Sequence, residues 1–275
     1  MTRITIANVK GGVGKTATSV NLAAFLSRKC GYRVLLVDCD PQGNCLFGLR
    51  RYFEGATDEE PQKTPALTLY DCLLKDTPIE DVILPVHGNL SLLPANAMLA
   101  VADVELMQET RGSERLKAIL PQSGYDYIII DTPTGIGLLQ MSALIAGEMV
   151  IVPMPSFIAY EQGRNHLVGL LARIQRGIPD QAWDVRALQT LYRTDVRESV
   201  DLRSVLEKEF GKRLFSSYIN LNTHVSGALG VGQPITEYPS TTGFTDYFRL
   251  TKEVINAAQN IAENRGRGQR ATRTR

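Results

Sequence analysis

The amino-acid sequence has few cysteines, no long hydrophobic run and almost no excess of one charge over the other across its 275 residues. The four cysteines form no CxxC pair and no cluster with the three histidines, which gives little support for a zinc or iron–sulfur site; they are Cys30, Cys39, Cys45 and Cys72. No apolar stretch approaches the roughly 18 residues of a membrane span, and residues 1–10 lack the apolar segment of a signal peptide. We therefore expect a soluble, cytoplasmic protein with reduced thiols.

The near-neutral charge conceals an uneven distribution. Thirty basic and 29 acidic residues give a formal charge of +1. The last eleven residues, 265–275, contain five arginines and no acid, so residues 1–264 carry 25 basic against 29 acidic residues, a formal charge of −4. The composition of this end predicts a disordered basic tail at 265–275. A second aperiodic segment, 50–66, is rich in charge, glycine and proline and predicts an exposed insertion.

Short apolar runs alternate with longer segments of helical pattern along residues 1–264. Continuous apolar runs are typical of strands buried on both faces, as in a parallel sheet between two layers of helices. Strands are predicted at 4–6, 34–37, 128–130, 150–152, 185–191 and 214–219, and helices at 16–28, 137–146, 160–176 and 196–210. This alternation predicts an α/β fold with a doubly wound, mostly parallel sheet flanked by helices, in one domain spanning 1–264.

The most informative motif lies between the first predicted strand and the first predicted helix. Residues 9–17 read VKGGVGKTA, which departs from the P-loop pattern because Asn8 or Val9 stands where the first glycine belongs. The remaining glycines still let backbone N–H groups converge on phosphate oxygens at a helix N-terminus. We therefore predict a nucleotide site in which a lysine contacts the β- and γ-phosphates. Its predicted residues are Lys10, Gly11, Gly12, Val13, Gly14, Lys15, Thr16 and Ala17.

Three aspartates follow predicted strands near this loop. Asp38 and Asp40 end the second strand, and Asp131 follows the apolar run 128–130. Because the carboxyl ends of parallel strands line the ligand crevice, these carboxylates should lie beside the nucleotide. An acid after such a strand is typical of a Walker B position that holds Mg²⁺, and an acid near the γ-phosphate can position a water. The sequence thus predicts hydrolysis of a Mg²⁺-bound nucleotide by an activated water.

Lys10 is a second lysine in the loop, five residues before Lys15. A P-loop needs only one lysine on the phosphates. Lys10 is therefore either an ordinary surface charge or a residue that neutralises transition-state charge on a neighbouring subunit's nucleotide, as an arginine finger does in trans. The spacing leaves both interpretations open.

Four blocks of the sequence resemble the ParA/Soj branch of the MinD-like ATPases, which have a deviant Walker A motif. The blocks are 10–44, which contains KGGVGKT and DCDPQGN; 127–137, YIIIDTPTGIG; 143–155, followed by Glu161, Gln162 and Gly163; and 232–254. Together they extend over nearly the whole chain, and the first is the most specific. The resemblance implies a P-loop NTPase fold of the deviant Walker A type and an ATPase of weak basal activity.

The resemblance also implies roles for individual residues. Family members form a homodimer in the ATP state, with two ATP molecules between the subunits, and the residue that matches Lys10 reaches the partner's phosphates. Lys10, Lys15 and Asp40 would then be catalytic, with Asp40 orienting the hydrolytic water. The implied cofactors are ATP and Mg²⁺. The implied metal ligands are Thr16, Asp38 and Asp131.

Two macromolecular partners follow from the same resemblance. The family's ATP dimers bind double-stranded DNA without sequence preference, and a ParB-like adaptor stimulates hydrolysis during chromosome or plasmid partition, which implies a nucleoid-associated protein. Here, however, the stretch 219–229 offers only His224 as a basic candidate, and Thr134 replaces the second proline that usually follows the Walker B acid. The predicted DNA contacts are Arg203, Lys208, Lys212, Arg213, Lys252, Arg265, Arg267, Arg270, Arg273 and Arg275.

Other functions on the same fold remain open. Positioning of a non-DNA cargo would use the same ATPase. A MinD-like membrane ATPase is disfavoured because the Arg/Gly/Thr end has no apolar face, so no stable membrane insertion is expected. An iron-protein-like electron donor would need a cysteine after the acid at 131, and this sequence has none there. A non-enzymatic scaffold would not need to keep Lys10, Asp40 and Asp131.

Overall fold

The computed structural model describes residues 1–57, 59–60, 62–63 and 65–273, with side chains up to residue 263. Within this part of the chain, seven strands form one sheet in the order β3-β4-β2-β5-β1-β6-β7, in which only β3 is antiparallel to its neighbour. The strands are β1 Thr2–Ile6, β2 Val34–Asp38, β3 Leu84–His87, β4 Leu90–Leu93, β5 Tyr127–Asp131, β6 Met149–Met154 and β7 Asp184–Gln189.

The central strands are buried on both faces. Every residue of β1, β2 and β5 is buried. Along β2, Leu36 packs into one apolar cluster, whereas Leu35 and Val37 point to a second cluster on the opposite face. A strand that feeds two cores has no polar face, which is why these runs are continuously apolar. The predicted doubly wound, mostly parallel α/β sheet is confirmed.

Helices cover both faces of the sheet. The described part of the chain contains α1 Lys15–Arg28, α2 Asn44–Leu49, α3 Leu69–Leu74, α4 Leu99–Glu105, α5 Arg115–Ile119, α6 Leu138–Ala146, α7 Phe157–Gly177, α8 Arg197–Phe210, α9 Thr223–Val231 and α10 Thr242–Arg273. The predicted helices at 16–28, 137–146, 160–176 and 196–210 correspond to α1, α6, α7 and α8. Each predicted end lies within three residues of the observed one.

The predicted strand at 214–219 is wrong. In the described structure, this segment makes only isolated bridges, at Leu214 and at the following Asn220. Its apolar pattern reflects burial, since Leu214, Phe215 and Ile219 are buried. The carboxylate of Glu253 in α10 accepts the backbone N–H groups of residues 216 and 217, each at 2.7 Å, so a side chain takes the place of a ladder partner.

The hairpin of β3 and β4 was not predicted from the sequence. It adds β4 beside β2 and leaves β3 at the edge of the sheet. Pro85 lies within β3. Because proline cannot donate a ladder hydrogen bond, it is tolerated in an edge strand but weakens any strand prediction from sequence.

The segment 50–66 is not wholly the exposed insertion that its composition predicts. Tyr52 and Phe53 are 6% and 7% exposed and belong to the main apolar cluster. The Tyr52 ring stacks on His87, with 4.8 Å between ring centroids. Exposure begins after Phe53, at Glu54 and Gly55. Two aromatic side chains thus dock the start of the segment on the core, which polar neighbours conceal in the sequence.

Helix α10 packs along α1, the helix that follows the phosphate loop. The rings of Phe25 and Phe244 meet edge-on, with 4.9 Å between centroids. Tyr247 is 1% exposed, and its hydroxyl lies close to the polar side chains of Thr18 and Asn21. Both apolar and polar contacts therefore hold the C-terminal helix to the helix that carries Lys15.

The disordered basic tail at 265–275 stays a prediction. The backbone of α10 is assigned through Arg273 and overlaps that segment, but side chains from residue 264 onward lie outside the described part. None of the helices in the described residues combines the length and the apolar character that a membrane crossing requires.

Candidate nucleotide and metal site

Strand order brings the predicted site residues to one edge of the sheet. β5 lies between β1 and β2, so Asp131 pairs in register with Ile6 on one side and with Asp38 on the other. The phosphate loop begins directly after β1, and Asp40 follows β2 by two residues. Three segments that are far apart in sequence therefore end side by side.

The phosphate loop has the backbone that its glycines predict. Gly12 and Gly14 have φ angles of 71° and 91°, which residues other than glycine rarely adopt. Gly14 precedes the first residue of α1 and accepts a hydrogen bond from the Thr18 N–H at 2.9 Å. Inside the loop, the Lys15 ammonium donates to the Lys10 carbonyl at 3.2 Å. The loop thus folds around the Lys15 side chain at the positive end of α1.

Asp131 is fixed by two hydroxyl groups of α1. The Thr16 hydroxyl donates to Oδ2 at 2.7 Å, and the Ser19 hydroxyl donates to Oδ1 at 2.8 Å. Asp131 itself is fully buried, whereas Thr16 is half-buried. Both oxygens of the predicted Walker B carboxylate are therefore held in place by the loop helix.

Asp38 is held by backbone donors of its own connection. Its Oδ1 accepts the Asp40 N–H at 3.0 Å, and its Oδ2 accepts the Cys45 N–H at 2.9 Å. Asp40 in turn accepts the Gln42 N–H through Oδ1 at 3.0 Å. The turn ends at Gly43, whose φ of 63° starts α2 and whose missing side chain leaves room for the Ala95 carbonyl. The order of the turn fixes both acids predicted in this segment.

Burial makes the charged forms of two carboxylates, Asp38 and Asp131, electrostatically costly. Burial raises the pKa of Asp38 to about 8, and repulsion from Asp131 adds to the rise. Burial also raises the pKa of Asp131 to about 6, although hydrogen bonds from Thr16 and Ser19 oppose it. A cation between two adjacent carboxylates relieves that repulsion. We call Asp38 and Asp131 the carboxylate pair.

The two lysines of the loop differ in environment. Lys15 is 6% exposed; burial lowers its pKa, and attraction to Asp131 and Asp40 opposes the shift. Lys10 is half-buried, and no hydrogen bond or ion pair of its ammonium is found within the described residues. The structure therefore places Lys15 inside the site and leaves the Lys10 ammonium without a partner in the described part of the chain.

The segment after Asp131 closes the site from the other side. The Gly135 N–H donates to the Val9 carbonyl at 2.8 Å, and a side chain at Gly11 would contact the Thr134 methyl group. A surface groove next to the loop is lined by Asp40, Thr134 and residues of α4 and α6. Asp40 thus borders an open groove on the side of the loop where Thr134 lies.

Three polar residues that support this site were not predicted from the sequence. Asn8 is fully buried; it accepts the Lys10 N–H at 3.0 Å and donates to the Pro153 carbonyl at 2.8 Å. Thr190 donates to the Val13 carbonyl at 2.8 Å, and Ser19 holds Asp131 as described above. A polar residue directly before the loop and a hydroxyl three residues after Thr16 were the available signals. Thr190 had only its place after β7.

The predicted DNA contacts divide into paired and free side chains. The Arg203 guanidinium donates to Glu207 at 3.0 Å and to the Ser216 carbonyl at 3.2 Å, and its side chain is 18% exposed. By contrast, Lys208, Lys212 and Arg213 are exposed, as is Lys252, whose ammonium lies 4.3 Å from the Phe248 ring centroid. The other predicted contacts lie outside the described side chains: Arg265, Arg267, Arg270, Arg273 and Arg275.

Comparisons with known proteins agree with this architecture. A family model described as an AAA domain matches residues 1–181. The chain is 32% identical to the chromosome partitioning protein ParA of Caulobacter vibrioides, over 92% of this chain and 93% of the relative. It is 36% identical to the sporulation initiation inhibitor protein Soj of Bacillus subtilis, over 91% and 97%. A solved ATP complex of Cyanothece McdA has a similar fold, with a TM-score of 0.77, 22% identity, and coverage of 93% of this chain and 96% of that one.

Proposed function

Because the chain belongs to the AAA-domain family and, within it, to the ParA/Soj partition ATPases, we propose that it binds ATP with Mg²⁺, dimerises in that state and hydrolyses ATP slowly until a ParB-like adaptor stimulates it. The ATP-bound dimer binds DNA without sequence preference, and turnover drives chromosome or plasmid partition. The observation that carries the proposal is the hydrogen bond from Thr16 to Asp131 beside the phosphate loop. Asp131 pairs in register with Asp38 on the neighbouring strand.

The donor set suits Mg²⁺. Asp38, Asp131 and Thr16 offer two carboxylates and one hydroxyl, the oxygen ligands that this ion prefers. The raised pKa values of the carboxylate pair indicate a site whose charge is better balanced when a dication is bound. When bound, Mg²⁺ would neutralise charge on the phosphate oxygens. The residues that would hold it are therefore Thr16, Asp38 and Asp131.

Phosphate binding falls to the loop itself. The backbone N–H groups of residues 11–16 precede and open α1, whose positive end attracts the phosphates. Lys15 is already oriented inward by its hydrogen bond to the Lys10 carbonyl, so it can exchange that bond for a phosphate oxygen. The buried setting of Lys15 strengthens its attraction for an anion.

Asp40 and Lys10 have the catalytic roles in this proposal. Asp40 lines the groove at the open side of the loop, where its carboxylate can orient a water toward the terminal phosphate. Lys10 neutralises transition-state charge on the partner's nucleotide, as an arginine finger does. Its lack of a partner in the described residues supports that assignment, because a lysine tied within its own subunit could not reach another.

The DNA-binding part of the proposal rests on the exposed cations. Lys208, Lys212 and Arg213 have no hydrogen bond from their charged groups within the described residues, and their close placement around the end of α8 forms what we call the basic segment. Phosphate contacts of this kind carry no sequence information, which fits binding without sequence preference.

Hydrolysis and DNA binding test the proposal together. Purified protein is incubated with ATP, Mg²⁺ and random-sequence duplex, with and without the ParB-like protein of the same genome, and phosphate release and duplex retardation are measured. We expect retardation that requires ATP, and slow hydrolysis that the adaptor and DNA accelerate. Asp40→Ala should retain ATP-dependent retardation and lose about 100-fold or more of the stimulated rate.

Specific results would contradict each part. Equal stimulated rates in wild type and Asp40→Ala would remove the catalytic assignment of Asp40. Retardation that is the same with ADP as with ATP would contradict the nucleotide-gated dimer. Pelleting with anionic liposomes in ATP, without retardation of DNA, would instead support a MinD-like membrane ATPase.

A further inference from the structure

A thiol adjoins the carboxylate pair. Cys45 is fully buried, and its sulfur lies 3.6 Å from Oδ2 of Asp131. One ligand atom each from Asp38, Cys45 and Asp131 lie within 4.8 Å of one another, and all three residues are buried. The residue is held there by its own N–H, which donates to Asp38.

The thiol faces the oxygen that the metal would use. Oδ2 of Asp131 accepts the Thr16 hydroxyl at 2.7 Å and also faces the Cys45 sulfur. A cation bound by Thr16 and by this oxygen therefore lies within reach of the sulfur. Two ligand atoms that each lie about 2.0–2.3 Å from a zinc ion are at most about 4.6 Å apart. A small adjustment of the side chains therefore allows Asp38, Cys45 and Asp131 to contact one ion.

The chemistry of the donors is mixed. Carboxylates and a hydroxyl suit Mg²⁺, whereas a thiolate selects softer ions such as Zn²⁺, Co²⁺ and Cd²⁺. We propose that Cys45 adds a thiolate ligand to the carboxylate pair for thiophilic divalent cations, which occupy the site in competition with Mg²⁺. This inference rests on the proposed function, because it uses the same carboxylate pair. On binding, the sulfur–metal bond forms and the thiol proton leaves to solvent.

Cobalt provides the probe, because a thiolate bound to Co²⁺ gives a charge-transfer band in the near ultraviolet that oxygen ligands do not give. Metal-free, full-length, reduced protein without nucleotide is titrated with Co²⁺, and bound Co²⁺ is measured by equilibrium dialysis beside the absorbance. The variants are Cys45→Ser, Cys45→Ala and, as the matched control, Cys72→Ser, whose thiol is equally buried in α3 and away from the carboxylate pair. Circular dichroism checks that each variant is folded.

We expect the band in wild type and Cys72→Ser and its loss in both Cys45 variants. Cys45→Ala should also bind Co²⁺ at least about tenfold more weakly, the loss typical of removing even a residue that only supports a metal ligand. Excess Mg²⁺ should diminish the band in wild type. A band that survives in both Cys45 variants, Co²⁺ that binds wild type without a band, or no binding of Co²⁺ would each overturn the proposal.

The ATPase itself is measured separately, with wild type in Mg²⁺ alone. Hydrolysis in Mg²⁺ without a Cys45-dependent band would reject the thiolate ligand and leave the proposed function standing. A Cys45-dependent band in a protein that does not hydrolyse ATP would support the thiolate ligand and contradict the proposed ATPase function. The two proposals therefore fail independently.

Discussion

The carboxyl ends of β1, β2 and β5, which we call the nucleotide edge, differ from the basic segment around the end of α8 in how charged side chains are placed. At the nucleotide edge, Lys15, Asp38 and Asp131 are buried, and other groups of the fold orient each of them. In the basic segment, Lys212 and Arg213 are exposed on a short turn. Buried, oriented charges act strongly on one bound group, whereas exposed cations add small, salt-sensitive increments. The contrast is consistent with the proposed function, in which the buried charges act on the nucleotide and the exposed cations act on DNA.

The largest effect should come from separating the two lysines of the phosphate loop. Lys15→Ala removes the buried cation aimed into the loop, and we expect ATP affinity to fall by about 100-fold or more, measured by titration of a fluorescent nucleotide. Lys10→Ala should keep ATP binding but lose the ATP-dependent dimer, measured by light scattering after size exclusion. An equal loss of ATP binding in both variants would contradict the different roles of these lysines.

Next in size is the salt dependence of DNA binding. Replacing Lys208, Lys212 and Arg213 together by glutamine should make the log–log salt slope less steep by about 2.7, at about 0.9 for each DNA phosphate that the variant no longer neutralises. Arg203→Gln is the matched control, because this cation is already paired with Glu207 inside the fold. It should leave the slope unchanged. A similar change of slope in the control would show that pairing in the fold does not decide which cations bind DNA.

A smaller effect concerns the support of the phosphate loop. Asn8→Ala removes the buried amide that joins the Lys10 N–H to the Pro153 carbonyl, and the free energy of unfolding should fall by about 1–3 kcal/mol. Urea unfolding measures the change. Asn256→Ala, at an exposed position of α10, should stay within about 0.5 kcal/mol of wild type. If Asn8→Ala lowers the free energy of unfolding no more than Asn256→Ala does, the hydrogen bonds of Asn8 add no stability.

The last effect is the pH dependence of the stability of the nucleotide-free, Mg²⁺-free protein. The raised pKa values of Asp38, about 8, and Asp131, about 6, mean that the folded protein binds more protons than the unfolded chain between the ordinary aspartate range and about pH 8. Stability should therefore decline as the pH rises from about 6 to about 8. Thermal unfolding measures this decline, and Asp38→Asn should flatten it. A stability that rises over this interval in wild type would contradict the assignment.

Much of the nucleotide edge could be predicted because its signals are local. Glycine spacing defines the loop, and an acid after each apolar run marks the strand ends that share an edge, as observed for Asp38 and Asp131. The supporting residues depend on contacts between distant segments. No spacing in sequence relates Thr190 to Val13 or Asn8 to Pro153, so their roles were not predicted.

Elsewhere, the same apolar pattern had two physical origins. The run 214–219 is buried like a strand, but Glu253 satisfies its backbone, so burial without a ladder produced a wrong prediction. Pro85 concealed a short edge strand. Among the cations, Arg203 and Lys212 look alike in sequence, and only the fold shows that Arg203 is already paired. Patterns that report burial do not report what a group is bonded to.

The docking of α10 on α1 has a mechanical consequence. The helix whose first turn holds Lys15 and Thr16 is joined along its length to the last helix through Phe25, Phe244 and Tyr247. The two helices are therefore packed together as one unit over the first turns of α10. We therefore expect that a shift of α1 on nucleotide binding would move the packed first turns of α10 with it.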